Sequence, residues 1–166
     1  MELTAACEGE GEEFVKGLME ELLSENMMDK EQLCLLSAKK LNTFFTSNLA
    51  KRMQKAQKEG KLFREQPFLM ERDVSEIYPE KGYEEKESIL VQGIIDAFFE
   101  EEDGLVLVDY KTDRIKNPEE LAQRYQEQIV QYAHALKSLK QKEVKEMILF
   151  SFHLGREVKV EWKENQ

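Results

Sequence analysis

Two short apolar runs, residues 94–99 and 105–108, are separated by Glu100-Glu101-Glu102-Asp103-Gly104, and each carries an aspartate: Asp96 inside the first, Asp109 directly after the second. Runs of this length bounded by a turn signal ending in Asp-Gly read as strands, and their closeness makes them an antiparallel hairpin. Residues 88–99 and 105–110 are the expected strands. Side chains alternate along a strand, so Asp109 and Lys111 project to one side, roughly 6.8 Å apart, with Tyr110 on the other. If Glu100 pairs with Leu105, the two aspartates lie directly opposite one another. A two-residue Asp103-Gly104 loop instead sets Asp96 opposite Lys111. Both keep the three side chains on one face, whereas an odd-length loop without a bulge sends Asp96 to the far side.

Opposed carboxylates repel; two charges ~4 Å apart at an effective dielectric of ~20 interact by about 4 kcal/mol. A cation between them resolves the conflict. Mg²⁺ suits the position because it prefers oxygen ligands at about 2.1 Å and commonly uses one or two carboxylates together with substrate phosphate oxygens. The Tyr110 main-chain carbonyl is a further candidate ligand. Lys111 would orient or deprotonate the attacking water and offset charge growing on the phosphorus. The competing reading is a simple salt bridge of the aspartates with Lys111 at a sheet end, worth little if exposed. Charges inside near-continuous apolar strands are unusual without a partner or metal, which favours the site.

Asn117-Pro118-Glu119-Glu120 carries an N-cap asparagine, proline at the first helical position and glutamate at the third, so a helix is expected from there to about residue 140. Gln128 and Tyr132, four apart, share one of its faces, with Leu121, Tyr125, Leu136 and Leu139 near the same stripe. Tyr132 is a core aromatic, a group leaning over the hairpin to hydrogen-bond a DNA backbone or a bound water, or both.

The ordered motifs Arg64-Glu65-Gln66-Pro67-Phe68, Gly93-x-x-Asp96, Asp109-Tyr110-Lys111-Thr112-Asp113 and Gln128-x-x-x-Tyr132 resemble the RecB-type nuclease domain of the PD-(D/E)xK superfamily, in its AddA-like (RexA-like) branch. The resemblance covers roughly residues 35–160. It implies an α/β, restriction-endonuclease-like fold with a mixed central sheet flanked by helices. It also implies metal binding by Asp96 and Asp109, catalysis by Lys111, a supporting Gln-x-x-x-Tyr motif at Gln128 and Tyr132, and a lesser place at the site for Glu65. Activity would be Mg²⁺-dependent, with Mn²⁺ able to substitute: exonucleolytic cleavage of single-stranded DNA delivered by the helicase domains of a longer parent chain. That parent would work with an AddB-like (RexB-like) partner subunit in recombinational repair of double-strand breaks in the bacterial cytoplasm. RecB-type domains also use a metal-binding histidine on an early helix. The only histidines here are His134 and His153, both downstream of the hairpin. A fragment starting after that histidine would lack it and be weak or inactive, and a silent nuclease fold kept for DNA binding or complex assembly is the alternative function.

A chain of 166 residues with 41% hydrophobic content is sufficient for one α/β core. No glycine-rich phosphate loop of the Walker type is present, so no ATP site is expected within it. No run approaches the ~20 apolar residues needed to span a bilayer, and nothing resembles a signal peptide, so no membrane partner is expected. Cys7 and Cys34 cannot supply four ligands to an iron–sulfur cluster, which by the resemblance separates this chain from AddB-like and Cas4-like nucleases.

Net charge is −10, unfavourable for capture of nucleic acid by electrostatics alone. Residues 37–64 nevertheless hold eight basic side chains (Lys39, Lys40, Lys51, Arg52, Lys55, Lys58, Lys61 and Arg64) against Glu59. That stripe is either a solvated helix face or a track for single-stranded DNA.

The expected organisation is a helical part over residues 1–60 and an α/β nuclease core over 61–166, together one domain of a larger helicase-nuclease. A loose start at 9–13 precedes a helix at 14–23 and one or two more within 33–57. A strand at 62–70 leads to a charged loop at 75–87. After the hairpin and capped helix, strands at 145–153 and 157–162 turn at Gly155.

Overall fold

The computed structural model describes residues 38–74 and 88–162. The loose start, the helix expected at 14–23, the loop at 75–87 and both cysteines lie outside the described residues.

Helix α1 (Ala38–Phe45) and helix α2 (Asn48–Lys58) are separated by Thr46 and the cap residue Ser47. The Ser47 Oγ accepts the Ala50 N–H at 3.1 Å, and the Glu157 carboxylate, 108 residues away, accepts the Leu49 N–H at 2.8 Å. Two of the amides left over at the α2 N-terminus are thereby satisfied, and the second bond ties the helix to the sheet. Leu49, Ala50, Met53 and Ala56 form its buried stripe at helical spacing.

Five strands follow: β1 (Leu62–Asp73), β2 (Ser88–Glu101), β3 (Gly104–Lys111), β4 (Val144–Ser151) and β5 (Arg156–Val160). Their spatial order is also β1-β2-β3-β4-β5. Only β3 and β4 run parallel, and that pairing requires a crossover, supplied by helix α3 (Pro118–Lys140). The fold is thus a mixed α/β sheet with helices on both faces. As the sequence predicts, Asn117 caps α3, its side chain accepting the Glu120 N–H at 2.8 Å with Pro118 in the first turn. The far end stops at Gln141, which takes a left-handed conformation. No helix among the described residues is long and apolar enough to cross a membrane.

Each sheet face has its own core. On one, Leu121, Ile129, Ala133 and Leu136 of α3 pack on Ile95, Phe98, Leu105, Leu107, Met147 and Leu149. On the other, α1 and α2 bring Phe44, Leu49, Ala50 and Met53 onto Ala97, Phe99, Val106, Val108, Ile148 and Phe150. Leu139, expected on the buried stripe of α3, is 49% exposed; the true stripe runs through Leu121, Ile129, Ala133 and Leu136. The final strand is also shorter than expected, ending at Val160 before Trp162.

The β2–β3 register resolves the hairpin alternatives. Glu100 pairs with Leu105 and the ladder runs one rung further, to Glu101 opposite Gly104. Asp96 and Asp109 therefore occupy facing register positions. Regular pairing ends one rung before them, at Ala97 and Val108.

The reason lies in β1 and β2 together. Phe63 and Phe68, five residues apart, pack into the same core, as do Ile95 and Phe98, three apart. Strict alternation would place the members of each pair on opposite faces. Both strands step across the sheet at one rung, Glu65 facing Asp96, the rung missing between Arg64–Ala97 and Gln66–Ile95. Glu65 there has φ of 48°, a left-handed conformation uncommon outside glycine. This paired irregularity takes Asp96 out of the simple alternation that the sequence pattern assumes.

Candidate functional site

Asp109 and Lys111 leave β3 on the face covered by α3, two residues apart as alternation requires. Their side chains meet: Lys111 Nζ stands 2.7 Å from Asp109 Oδ2, with only 12% and 5% of the two side chains exposed. The approach is an ion contact rather than an aligned hydrogen bond, for Asp109 Oδ2 is a buried atom without a hydrogen-bond partner among the described residues. Burial pushes the Asp109 carboxyl above its ordinary pKa; the Lys111 ammonium opposes the shift and the neighbouring Asp96 charge adds to it.

Asp96 approaches from the side, where the β2–β3 ladder has ended. Its Oδ2 accepts the Tyr110 N–H at 2.9 Å, replacing the strand carbonyl that no longer pairs there. The Tyr110 carbonyl leaves the strand on the same edge as that N–H, since a strand residue presents both groups to one neighbour. The Tyr110 ring turns to the opposite core, where its hydroxyl lies 3.7 Å from Met53 Sδ and its edge meets Phe44 at 5.6 Å between centroids. Burial there pushes the Tyr110 phenol well above its ordinary pKa, so it stays protonated.

Helix α3 contributes the remaining groups. Lys111 Nζ donates to Gln128 Oε1 at 2.7 Å, and Gln128 Nε2 donates in turn to the Tyr132 hydroxyl at 3.3 Å. Tyr132 is core and site at once: its ring meets Phe68 edge-on at 5.5 Å while its hydroxyl faces the polar chain. Burial raises the Tyr132 pKa, and the charges of Asp109 and Asp96 raise it further. Close packing here depends on Gly93, because a Cβ at that position would stand 2.8 Å from the Phe68 ring.

Of the residues singled out in the sequence, Lys111, Asp109, Gln128 and Tyr132 are joined by contacts, and Asp96 lies against the Tyr110 backbone beside them. Glu65 faces Asp96 in register but is exposed. Two further residues, Tyr125 and Asp113, belong to the same cluster. The Tyr125 ring lies under Lys111 Nζ at 3.9 Å from its centroid, and its hydroxyl donates to Asp113 Oδ2 at 2.7 Å. Their signal is in the spacing, with Tyr125 one helical turn before Gln128 and Asp113 two residues past Lys111.

The donor set fits a hard divalent cation: two carboxylates and a main-chain carbonyl, all oxygen, one of the carboxylates buried. Among the described residues no group of three or more His, Cys, Asp or Glu side chains converges, so water or substrate oxygens would complete the shell. The basic stripe divides. Arg52 is committed to Glu101 and Glu146, at 2.9 and 2.8 Å, Lys61 pairs with Glu59, and Arg64 donates to Gln57. Lys51, Lys55 and Lys58 remain as an exposed ridge on α2, which covers the sheet face opposite Asp109 and Lys111, and Lys39 and Lys40 lie on α1.

A mixed sheet whose central hairpin and crossover helix gather these residues has the architecture of a PD-(D/E)xK nuclease domain. A family model described as the PD-(D/E)XK nuclease superfamily matches residues 3–165, and the chain belongs to that superfamily. Among curated proteins it is similar to the A subunit of the ATP-dependent helicase/nuclease of Lachnoclostridium phytofermentans, 37% identical over 179 residues covering 88% of this chain and 13% of the relative. The protein of the same name from Clostridium novyi is 42% identical over 153 residues, covering 89% and 12%. That of Clostridium perfringens strain SM101 is 44% identical over 156 residues, covering 90% and 12%. The chain thus spans about one eighth of the length of these relatives.

Proposed function

We propose that this chain is the nuclease domain of an AddA-type helicase-nuclease, cleaving phosphodiester bonds of single-stranded DNA fed to it by helicase domains of a longer parent. Asp96, Asp109 and the Tyr110 carbonyl hold a divalent cation, Mg²⁺ with Mn²⁺ as substitute, and Lys111 is the catalytic lysine. When bound, that ion supplies Lewis-acid stabilisation of the phosphate oxygens. Water attacks phosphorus, a new P–O bond forms as the bond to the leaving nucleotide oxygen breaks, and the leaving oxygen ends protonated. The Lys111 ammonium, held by Gln128, orients the water and offsets charge accumulating on the phosphoryl group. Gln128 and Tyr132 present amide and hydroxyl groups to the DNA backbone, and Glu65 stands at the rim opposite Asp96. The observation that carries this reading is the buried Asp109–Lys111 contact beside Asp96, a constellation that a purely structural ion pair does not require.

The parent would trim the strand ending 3′ at broken duplexes, in the bacterial cytoplasm, with an AddB-like partner. An acidic domain can do this with little affinity of its own, because a motor supplies the strand. A second reading, a nuclease fold retained for DNA binding or assembly, is favoured by the lack of a third acidic or histidine side chain beside Asp96 and Asp109 among the described residues. Digestion of labelled single-stranded DNA with Mn²⁺ separates the two. Hydrolysis is supported by cleavage that Lys111→Ala and Asp109→Ala abolish; DNA binding untouched by Asp109→Ala, with no metal heat in titration calorimetry, supports the second reading.

A further inference from the structure

The Lys111 ammonium has three N–H donors and touches three groups. Gln128 Oε1 takes an aligned hydrogen bond at 2.7 Å, the Tyr125 ring lies beneath Nζ at 3.9 Å, and Asp109 Oδ2 makes the unaligned ion contact at 2.7 Å. If Asp109 turns its charge to a cation, as the proposed function requires, the lysine loses its weakest-aligned partner and keeps the other two. Both come from one face of α3, since Tyr125 and Gln128 are three residues apart.

The Tyr125 ring is itself fixed at its far end. Its hydroxyl donates to Asp113 Oδ2 at 2.7 Å, and Asp113 follows Lys111 by two residues, just past the end of β3. The lysine and the group that pins its ring platform therefore issue from the same three-residue stretch, and the platform spans from it to the helix. A phenol donating to a carboxylate also gains electron density, which strengthens the attraction of the ring face for a cation. The Asp113 carboxyl is held below its ordinary pKa by this hydrogen bond, so it stays ionised and accepting at neutral pH.

We propose that Tyr125 and Asp113 are positioning residues for Lys111, forming with Gln128 a berth that keeps the ammonium aligned on the scissile phosphate once Asp109 is engaged elsewhere. The inference rests on the catalytic reading of Lys111 and extends it to two residues that touch neither substrate nor metal. Without the berth, the flexible four-carbon stem would let Nζ wander from the site.

Two measurements on the full 166-residue chain test this. In NMR spectra without metal or DNA, the Lys111 ε-methylene protons should be shifted upfield by the Tyr125 ring current. Tyr125→Leu should return them to the ordinary lysine position, whereas Tyr125→Phe, which keeps the ring and the core packing, should leave part of the shift. In Mn²⁺-dependent cleavage, Tyr125→Leu should lower kcat about tenfold or more with KM within about twofold. Tyr125→Phe, Asp113→Ala and their combination should each show the same loss, about threefold, because the two residues act through one bond. An unshifted ε-methylene in the starting chain, or unchanged kcat in Tyr125→Leu, overturns the berth. Full cleavage by Lys111→Ala overturns instead the catalytic reading of Lys111 beneath it, and the ring-current measurement, which needs no turnover, still reports on the contact.

Discussion

The Asp96 carboxylate accepts the Tyr110 backbone N–H at 2.9 Å, so a proposed metal ligand also completes the hydrogen bonding of the strand that carries the other one. One oxygen of Asp96 is thus spent on the fold. Asparagine can make the same acceptor contact without the charge; alanine cannot. Asp96→Ala should therefore lose about 1–3 kcal/mol of stability for the orphaned amide, while Asp96→Asn stays within ~0.5 kcal/mol. Both should abolish cleavage. Urea denaturation at unchanged slope, beside the cleavage assay, separates the structural half of the residue from the chemical half.

Gly93 reaches the same site through packing alone. An added Cβ would sit 2.8 and 2.9 Å from two atoms of the Phe68 ring, whose edge supports Tyr132. Phe68 is buried and must shift or force the strands apart. Gly93→Ala should cost about 1–3 kcal/mol, in the range of overpacked cores, and lower kcat by displacing Tyr132 and hence Gln128. Pairing it with Phe68→Leu, which vacates the crowded space, should recover part of both losses in thermal melts and cleavage. No recovery would mean that the glycine acts through its backbone instead.

The hairpin, the capped crossover helix and the Asp109–Lys111 pair are legible in the sequence because each follows from a local rule: alternation on a strand, a cap with proline behind it, a turn between apolar runs. The turn rule leaves Asp96 opposite either Asp109 or Lys111, and the structure selects the first. The Asp96 carboxylate is a backbone acceptor as well, and the face change at Glu65 that allows this is cooperative between two strands, invisible to a pattern read along either one. Leu139 shows the complementary error, since the helix turns its strand-facing side to Lys140, whose Nζ lies 4.2 Å from the Phe63 ring centroid, and leaves Leu139 exposed. Arg52 has the sequence context of a basic track, yet its partners Glu101 and Glu146 lie 49 and 94 residues away. Tyr125 has the spacing of a stripe residue. Its role as a platform emerges only from the distance to Lys111 Nζ.

Burial of Asp109 carries a cost: it raises the carboxyl pKa above the ordinary value despite the opposing Lys111 contact, so the ionised form is less favoured in the fold than in the unfolded chain. A folded-state pKa above the unfolded one means that the penalty is present at high pH and relieved as pH falls through the raised value. Asp109→Asn should accordingly match or exceed the starting chain in stability at pH 8, by up to about 1 kcal/mol, and the gap should close on acidification. It should also lose cleavage. Mn²⁺ should raise the melting temperature of the starting chain, by an amount equivalent to about 2.7 kcal/mol at a hundredfold excess over its Kd, and leave Asp109→Asn unmoved.

Glu101 should respond to acid with the opposite sign. It holds Arg52 through two parallel contacts, Nε to Oε1 and Nη2 to Oε2, each 2.9 Å, and Lys145 at 2.6 Å, joining α2 to the end of the hairpin. The Arg52 hydrogen bond, partly opposed by burial and reinforced by Lys145, lowers the Glu101 pKa from 4.5 to about 2. A depressed folded-state pKa contributes stability that is complete above the unfolded value and is lost as pH falls through the folded one, here between 4.5 and about 2. Glu101→Gln should therefore be less stable than the starting chain at pH 7 by about 1 kcal/mol, with the difference shrinking below pH ~4.5 and vanishing near pH ~2. Bidentate geometry and partial burial, with 19% of the Arg52 side chain exposed, should preserve most of that difference in ~0.5 M salt, where an exposed pair would be screened. Thermal melts of both chains across this pH range, at low and high salt, give the comparison; a difference that persists unchanged at pH ~2 would mean that Glu101 acts through packing and not through its charge.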